Sequence, residues 1–288
     1  MGTTSDLLRP MSIGDILDGA IRLYRGNFRL LIGIVAWAYV PIIFLTLAYP
    51  SVTFGRLRLQ GILMIFISGF LLPAVATVAI SERILNRKIS VIGSYLRVGK
   101  RLFPLIGAML LVVMFVMLII LGLSIALYLL TEFVDSTVWG TRFPGTLAIT
   151  AIIIVFIPIM VFSALTLAVR LLFTLQAVVI EGSKATRAIG RSRELAKGSF
   201  WKILAVLALV LIAVFLVHFS FGFVGGAVVD ALGRLSTVWI FIARTGIINL
   251  LLQPFQIAVI VLLYYDMRVR KEGYDLEVMA KELSVEQV

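Results

Sequence analysis

Few side chains in this sequence have chemistry to offer, and most of them stand at one kind of place. Glu82, Glu181 and Asp266 each close an apolar stretch just before basic residues, in SERILNRKIS, VVIEG and YYDMRVRKE. A ring of carboxylates meeting basic surface helices would leave this pattern. So would ordinary solvated ion pairs at a membrane edge, which contribute under about 1 kcal/mol each. Arg170 is different, because it lies between Val169 and Leu171 inside an apolar stretch, about 16 Å along a helix axis from Glu181 at 1.5 Å of rise per residue. A charge at that depth should face protein or water rather than lipid. It can bind an anionic headgroup or a substrate, lock helices through Glu82, Glu181 or Asp266, or snorkel to the interface where the span ends early, near Gln176. No second buried charge completes a relay, which favours helix locking or a lipid phosphate over transport.

The sequence lacks the usual materials of catalysis. His218 is the single histidine and there is no cysteine, so imidazole clusters, thiolate sites and histidine-dependent triads are unsupported. His218 is expected to pack near the outer end of an apolar span. No metal-ligand spacing, phosphate-cradling glycine loop or nucleophile elbow occurs. The expectation is a protein without enzymatic activity, cofactor or bound metal.

The elements that must position these side chains are membrane spans. Of 288 residues 61% are hydrophobic and only 14% charged, with a mean hydropathy of +1.10. That is too little polar material to cover a globular surface, so most of the exterior must face lipid. The net charge of +11 does not point to nucleic acid, because the basic residues gather between apolar spans and no polar stretch is long enough for a nucleic-acid-binding domain. The N-terminal MGTTSDLLRP has no apolar h-region or cleavage site and is expected to be retained.

Ser12 to Pro50 shows the recurring device. Ile13, Ile16, Leu17, Ala20, Ile21 and Tyr24 fall on one helical stripe, with Asp15, Asp18, Arg22 and Arg25 opposite. Ser12 is placed to cap this helix, and Asp15 suits the positive end of its dipole. From Leu30 to Tyr49 no charge occurs, which is enough to cross a bilayer core. Further spans are expected at Gly61 to Ile80, Leu105 to Leu130, Thr146 to Val179, Ile203 to Phe221 and Gly246 to Tyr265. The fourth is long enough that it must tilt, kink or protrude. Asp230, Arg234 and Arg244 interrupt Gly222 to Thr245, which reads as an outer re-entrant or interfacial segment.

The fold class predicted is therefore all-α, a polytopic bundle of about six transmembrane helices with amphipathic helices at the cytoplasmic interface. Ser90 to Arg101 and Ser183 to Lys197 repeat the opening pattern, with Val91, Ile92, Tyr95 and Leu96, and then Ala185, Ala188, Ile189, Ser192 and Ala196, as the apolar stripes. RGNFRLL, KRLFPLI and KGSFWKI align on Phe28, Phe103 and Phe200, each with a base three residues earlier. Three units, 12–85, 90–176 and 183–267, with a tail at 268–288, would share one orientation as a parallel repeat within a single membrane domain, 1–288. Basic, then aromatic, then apolar is also how an ordinary span begins at a cytoplasmic interface. With both termini cytoplasmic, most of the 26 lysines and arginines fall on the inner side, as the positive-inside rule demands. In the tail, Asp266 to Arg270 and Arg268 to Glu272 are i, i+4 pairs that carry the last helix beyond the membrane. Gly273 is a natural break, and Tyr274 to Leu283 can form a second helix that folds back on the bundle or stays solvated.

Several motifs go beyond general membrane character. RPMSIGDILDGAIRLYRGNFRLL (Arg9 to Leu31), SERILNRKIS (Ser81 to Ser90), VVIEG with AIGRSRELAKGSFWKIL (Val178 to Leu204) and LLYYDMRVRKEGYDLE (Leu262 to Glu277) resemble the bacterial family named for the glycerophosphoryl diester phosphodiesterase membrane domain. The last motif is the most specific, since a generic span end has no need of Tyr264, Tyr265, Asp266, Arg268, Arg270, Glu272, Gly273 and Asp275 together. The resemblance implies a polytopic inner-membrane protein. It does not imply the phosphodiesterase reaction, which in fused members resembles the work of a separate (β/α)₈ domain of roughly 250 residues that has no room here. A non-enzymatic membrane scaffold or accessory subunit follows best, in contact with anionic lipids and with a membrane protein partner. A transporter of a lipid or small anionic solute is the alternative, for which Arg170, Pro158 and Pro254 speak.

Overall fold

The computed structural model describes residues 9–48, 66–138, 145–232, 237–274 and 276. Every regular element among them is helical: α1 (Ile13–Gly26), α2 (Phe28–Ala48), a π-helical turn (Ile67–Leu71) leading into α3 (Leu72–Ile84), α4 (Val91–Gly99), α5 (Leu102–Val138), α6 (Gly145–Leu171), α7 (Thr174–Glu181), α8 (Ala185–Ala196), α9 (Phe200–Leu232) and α10 (Thr237–Glu272). Among the described residues, five stretches are long and apolar enough to cross a membrane: Ile67–Ile84, Leu102–Ala126, Pro158–Glu181, Phe200–Phe221 and Ile248–Glu272. Phe28–Pro41 is a shorter apolar helix, and the side chains that would complete the expected first span lie outside the described residues. The protein is an integral membrane protein built as a multi-pass helical bundle.

Burial sorts the spans into inner and outer. The windows in α3 and α10 are 67% and 56% buried, whereas those in α5, α6–α7 and α9 are 11–17% buried and turn most of their apolar surface outward, with α7 itself buried through Thr174, Gln176, Ala177, Val178 and Val179. Buried Ile80, Leu262, Tyr264, Tyr265, Phe173 and Val178 form the centre where α3, α7 and α10 meet. A polar link crosses this apolar region: Tyr39 Oη donates to Gln253 Oε1 at 3.1 Å, and Gln253 Nε2 donates to the Ser68 carbonyl at 2.8 Å. Ser68 belongs to the π-turn, where Leu72 N–H reaches back five residues to Ile67 O. Pro73 follows immediately and has no N–H for the normal ladder.

The short amphipathic helices α1, α4 and α8 sit at one end of the bundle. Ser12 caps α1 in a capping box, its hydroxyl accepting from Asp15 N–H while the Asp15 carboxylate accepts from Ser12 N–H at 2.9 Å. These bonds to Ser12 hold the Asp15 carboxyl below the usual aspartate range. Leu23, Val98 and Leu195, each five residues before the aromatic that opens the next helix, all point into the core. Each short helix packs against the end of an inner span: α1 on α10, α4 on α3 and α8 on α7. Tyr95 ties α4 to α2 by donating to Ile34 O at 2.7 Å, and burial pushes its hydroxyl pKa up to about 12.

Two expectations change, and the kink expected of the fourth span is located. The buried face of α4 is Ser94 and Val98, while Ile92 and Leu96 are 70% and 65% exposed and face outward with Phe103. The fourth span is broken: α6 ends at Leu171 and α7 begins at Thr174, because Ser192 of α8 inserts between them. The stretch expected to be re-entrant is largely a continuation of its neighbours, since α9 runs to Leu232 and α10 starts at Thr237. Isolated charges did not stop helices whose other residues are apolar. The loop carrying Arg56 and Arg58, and that carrying Trp139 and Arg142, lie outside the described residues.

Candidate functional site

Asp266 is fully buried near the end of α10, and three donors converge on it. Met11 N–H reaches Oδ1 at 2.7 Å, Arg270 Nε reaches Oδ1 at 2.9 Å, and Lys202 Nζ reaches Oδ2 at 2.5 Å. Lys202 and Arg270 also donate to the Met11 carbonyl, at 2.7 and 2.8 Å. One carboxylate thus joins the backbone just before α1 to the start of α9 and the end of α10. The short i, i+4 partner was legible; the backbone amide 255 residues away was not.

Glu181 ends α7 and makes the equivalent join to α8. Arg191 Nε lies 3.0 Å from its Oε2, Tyr264 Oη donates to its Oε1 at 2.5 Å, and Arg268 Nε stands 3.7 Å away. Arg191 also pairs with Glu272 at 2.5 Å, and Arg268 with Glu272 at 3.1 Å, so the end of α10 closes the same network. Glu82, at the end of α3, pairs with Arg97 of α4 and lies 3.9 Å from Arg87. Beside it, Ser81 Oγ and Tyr265 Oη are 2.6 Å apart. The two buried tyrosines of α10 therefore reach one neighbouring inner helix each.

Helix ends are stitched by cations that the sequence offered only as basic surface. Arg101 donates to the Val179 carbonyl at 2.5 Å and to Val178 at 3.3 Å, satisfying orphan carbonyls at the end of α7. Gly182, with φ of 72°, follows there, and a Cβ on it would come within 3.2 Å of the Arg101 guanidinium. Lys271 caps α8 similarly, through the carbonyls of Glu194 and Lys197 at 2.5 Å. At the α6–α7 break, Ser192 Oγ accepts from Phe173 N–H at 3.0 Å and donates to the Arg170 carbonyl at 2.8 Å. The serine in the apolar stripe of α8 was the available clue.

Arg170 is exposed in the last turn of α6 and, among the described residues, makes no ion pair with Glu82, Glu181 or Asp266. It lines a surface groove of about 550 Å³ with Phe162, Thr166, Arg193, Lys197 and Phe200 among its other walls. His218 stays within α9, its Nδ1 3.0 Å from the Val214 carbonyl. Gly273 breaks α10 with φ of 62°, and Tyr274 then packs on Tyr265, ring centroids 5.7 Å apart, beneath the Arg268 guanidinium at 3.8 Å. Leu276 is exposed; Asp275 and the rest of the expected second tail helix lie outside the described residues. No cluster of three or more potential metal ligands occurs among the described residues.

Residues 145–284, from α6 through α10 into the tail, match the family described as the membrane domain of glycerophosphoryl diester phosphodiesterase. The motifs at Val178 to Leu204 and Leu262 to Glu277 lie within that segment, and those at Arg9 to Leu31 and Ser81 to Ser90 lie before it. No curated protein and no solved structure matches the chain.

Proposed function

We propose that the protein is a non-catalytic scaffold of the inner membrane, whose three short helices form a basic platform on anionic lipid at the cytoplasmic face and hold a membrane protein partner there. The observation that carries this reading is the fate of the acids. Glu82, Glu181 and Asp266 are each engaged by cations or backbone on or beside the short helix that packs against their span. Their work is positional, and none is left poised as a general acid or base.

The platform's outward residues suit a membrane surface. Arg22, Arg25, Arg29, Lys88, Lys100 and Arg187 are exposed, and a basic residue close to an anionic leaflet contributes about 1 kcal/mol of attraction. Ile21, Phe28, Ile92, Leu96, Phe103 and Trp201 are exposed at the same end, where amphipathic helices bury apolar side chains at the headgroup boundary. The alignment on Phe28, Phe103 and Phe200 supports three parallel units, each adding one short helix to the platform. Purification from native membranes in polymer nanodiscs tests the reading: the particles should be enriched in anionic lipid over the bulk membrane and carry a stoichiometric protein partner. Bulk lipid composition with no partner, or solute-dependent flux through reconstituted vesicles, would overturn it in favour of no platform or of transport respectively.

A further inference from the structure

The groove walled by α6, α8 and α9 combines features that no structural tie consumes. Phe162, Thr166 and Arg170 succeed one another at four-residue steps along a single face of α6, about 6 Å apart at 1.5 Å per residue. Read toward the polar end, that face runs from aromatic to hydroxyl to guanidinium. The polar layer on each side of a bilayer is about 5–8 Å thick, so a helix crossing it meets acyl chain, glycerol and phosphate in that order. Phe162 and Phe200, with ring centroids 6.4 Å apart, form the apolar wall. Thr166 Oγ1 is buried without a hydrogen-bond partner.

At the mouth stand Arg170, Arg193 and Lys197 against a single carboxylate, Glu194. None of the three cations is in an ion pair among the described residues. Gly198 opens the mouth with φ of 77° and nothing within 4 Å of where a Cβ would sit. Lys197 has basic counterparts in Arg25 and Lys100, but the fold alone does not require the other two charges. Eleven residues before each inner carboxylate, the counterparts of Arg170 are Leu71 and Phe255, and seven residues before each opening aromatic, the counterparts of Arg193 are Ile21 and Leu96.

We infer that this groove is a specific site for one anionic phospholipid, its phosphate held by Arg170, Arg193 and Lys197 and its upper acyl chain lying against Phe162 and Phe200. The inference rests on the platform reading but goes beyond it, since a platform needs only a diffuse field. The probes are phosphatidylglycerol and phosphatidylcholine titrated onto the delipidated protein and counted by native mass spectrometry. One tightly held phosphatidylglycerol per chain is expected. R170Q/R193Q/K197Q should weaken it on the order of a hundredfold, at about fivefold per cation, while R22Q/R25Q/R29Q, which thins the platform's diffuse field outside the groove, should change this one tightly held lipid by about twofold or less. T166W, which fills the groove and keeps the charges, should also lose the bound lipid. Melting temperatures check that each variant is folded, and R170Q alone, expected to lose about fivefold, serves if the triple variant is not. Equal losses in the two triple variants would overturn the groove and leave the platform standing. Unchanged binding by T166W would overturn the acyl-chain contact. No preference for phosphatidylglycerol in the wild type would overturn both groove and platform.

Discussion

Replacing Asp266 tests whether the inner acids hold the platform to the spans. Asp266→Ala removes the acceptor for Met11 N–H, Lys202 and Arg270 at a position with 0% side-chain exposure. Breaking a buried ion pair by removing one partner costs about 3–5 kcal/mol, because the other charge is stranded. Here Lys202, 21% exposed, is the stranded charge, while Arg270, 41% exposed, can turn to water. The orphaned Met11 N–H, in a residue 1% exposed, costs about 1–3 kcal/mol by itself. The two costs overlap at one site, so the expected loss is about 4–6 kcal/mol. Asp266→Asn keeps an acceptor for the amide and should lose about 2–3 kcal/mol, and adding Lys202→Met should recover most of that. Unfolding in mixed micelles gives the free energies, and hydrogen exchange at Met11 and along α1 locates the damage. An Asp266→Ala protein within about 1 kcal/mol of wild type, or an α1 that stays protected, would refute the reasoning.

Other substitutions follow from the same geometry. Ser192→Ala should cost about 1–3 kcal/mol by orphaning the Phe173 amide, seen as faster exchange confined to the α6–α7 break; uniform protection would count against it. Glu181→Gln should destabilise more than Glu82→Gln, because Glu181 gathers Tyr264, Arg191 and Arg268 whereas Arg97, the partner of Glu82, is half exposed; the reverse order in melting temperature would contradict it. Gly273→Ala forces a side chain into the left-handed region at about 1 kcal/mol and should free Tyr274 from Tyr265. Tail protection in hydrogen exchange would show whether it does.

What the sequence disclosed was what is local. The pairs Asp266–Arg270 and Arg268–Glu272, the Ser12 cap and the break at Gly273 are set by neighbours within four residues, and each is present. The apolar runs announced spans because bilayer thickness fixes their length. What stayed hidden depends on distant partners. Nothing in the opening residues marks the Met11 amide as the partner of Asp266, and nothing in KRLF distinguishes Arg101 as the cap of α7. Periodicity also put Ile92 and Leu96 on the buried stripe of α4. In a membrane protein apolar side chains are stable facing either core or lipid, so hydrophobicity does not choose the inner face, and the small Ser94 took it. Arg170 stands out in the sequence by its apolar neighbours Val169 and Leu171. Its setting, exposed on a groove beside a helix break, required knowing that Ser192 would enter the chain between Leu171 and Thr174.

The claim that all three short helices belong to one cytoplasmic platform has a direct test, helped by the absence of native cysteine. Gly26, Gly99 and Gly190 lie one in each short helix, and a Cβ at any of them meets nothing within 4 Å. Single cysteines there, with Ser136→Cys as the opposite-face control, can be challenged with a membrane-impermeant maleimide in whole spheroplasts and in inverted vesicles. All three glycine sites should label only in inverted vesicles, and position 136 only in spheroplasts. Labelling of any one of the three from the outer side would contradict the platform.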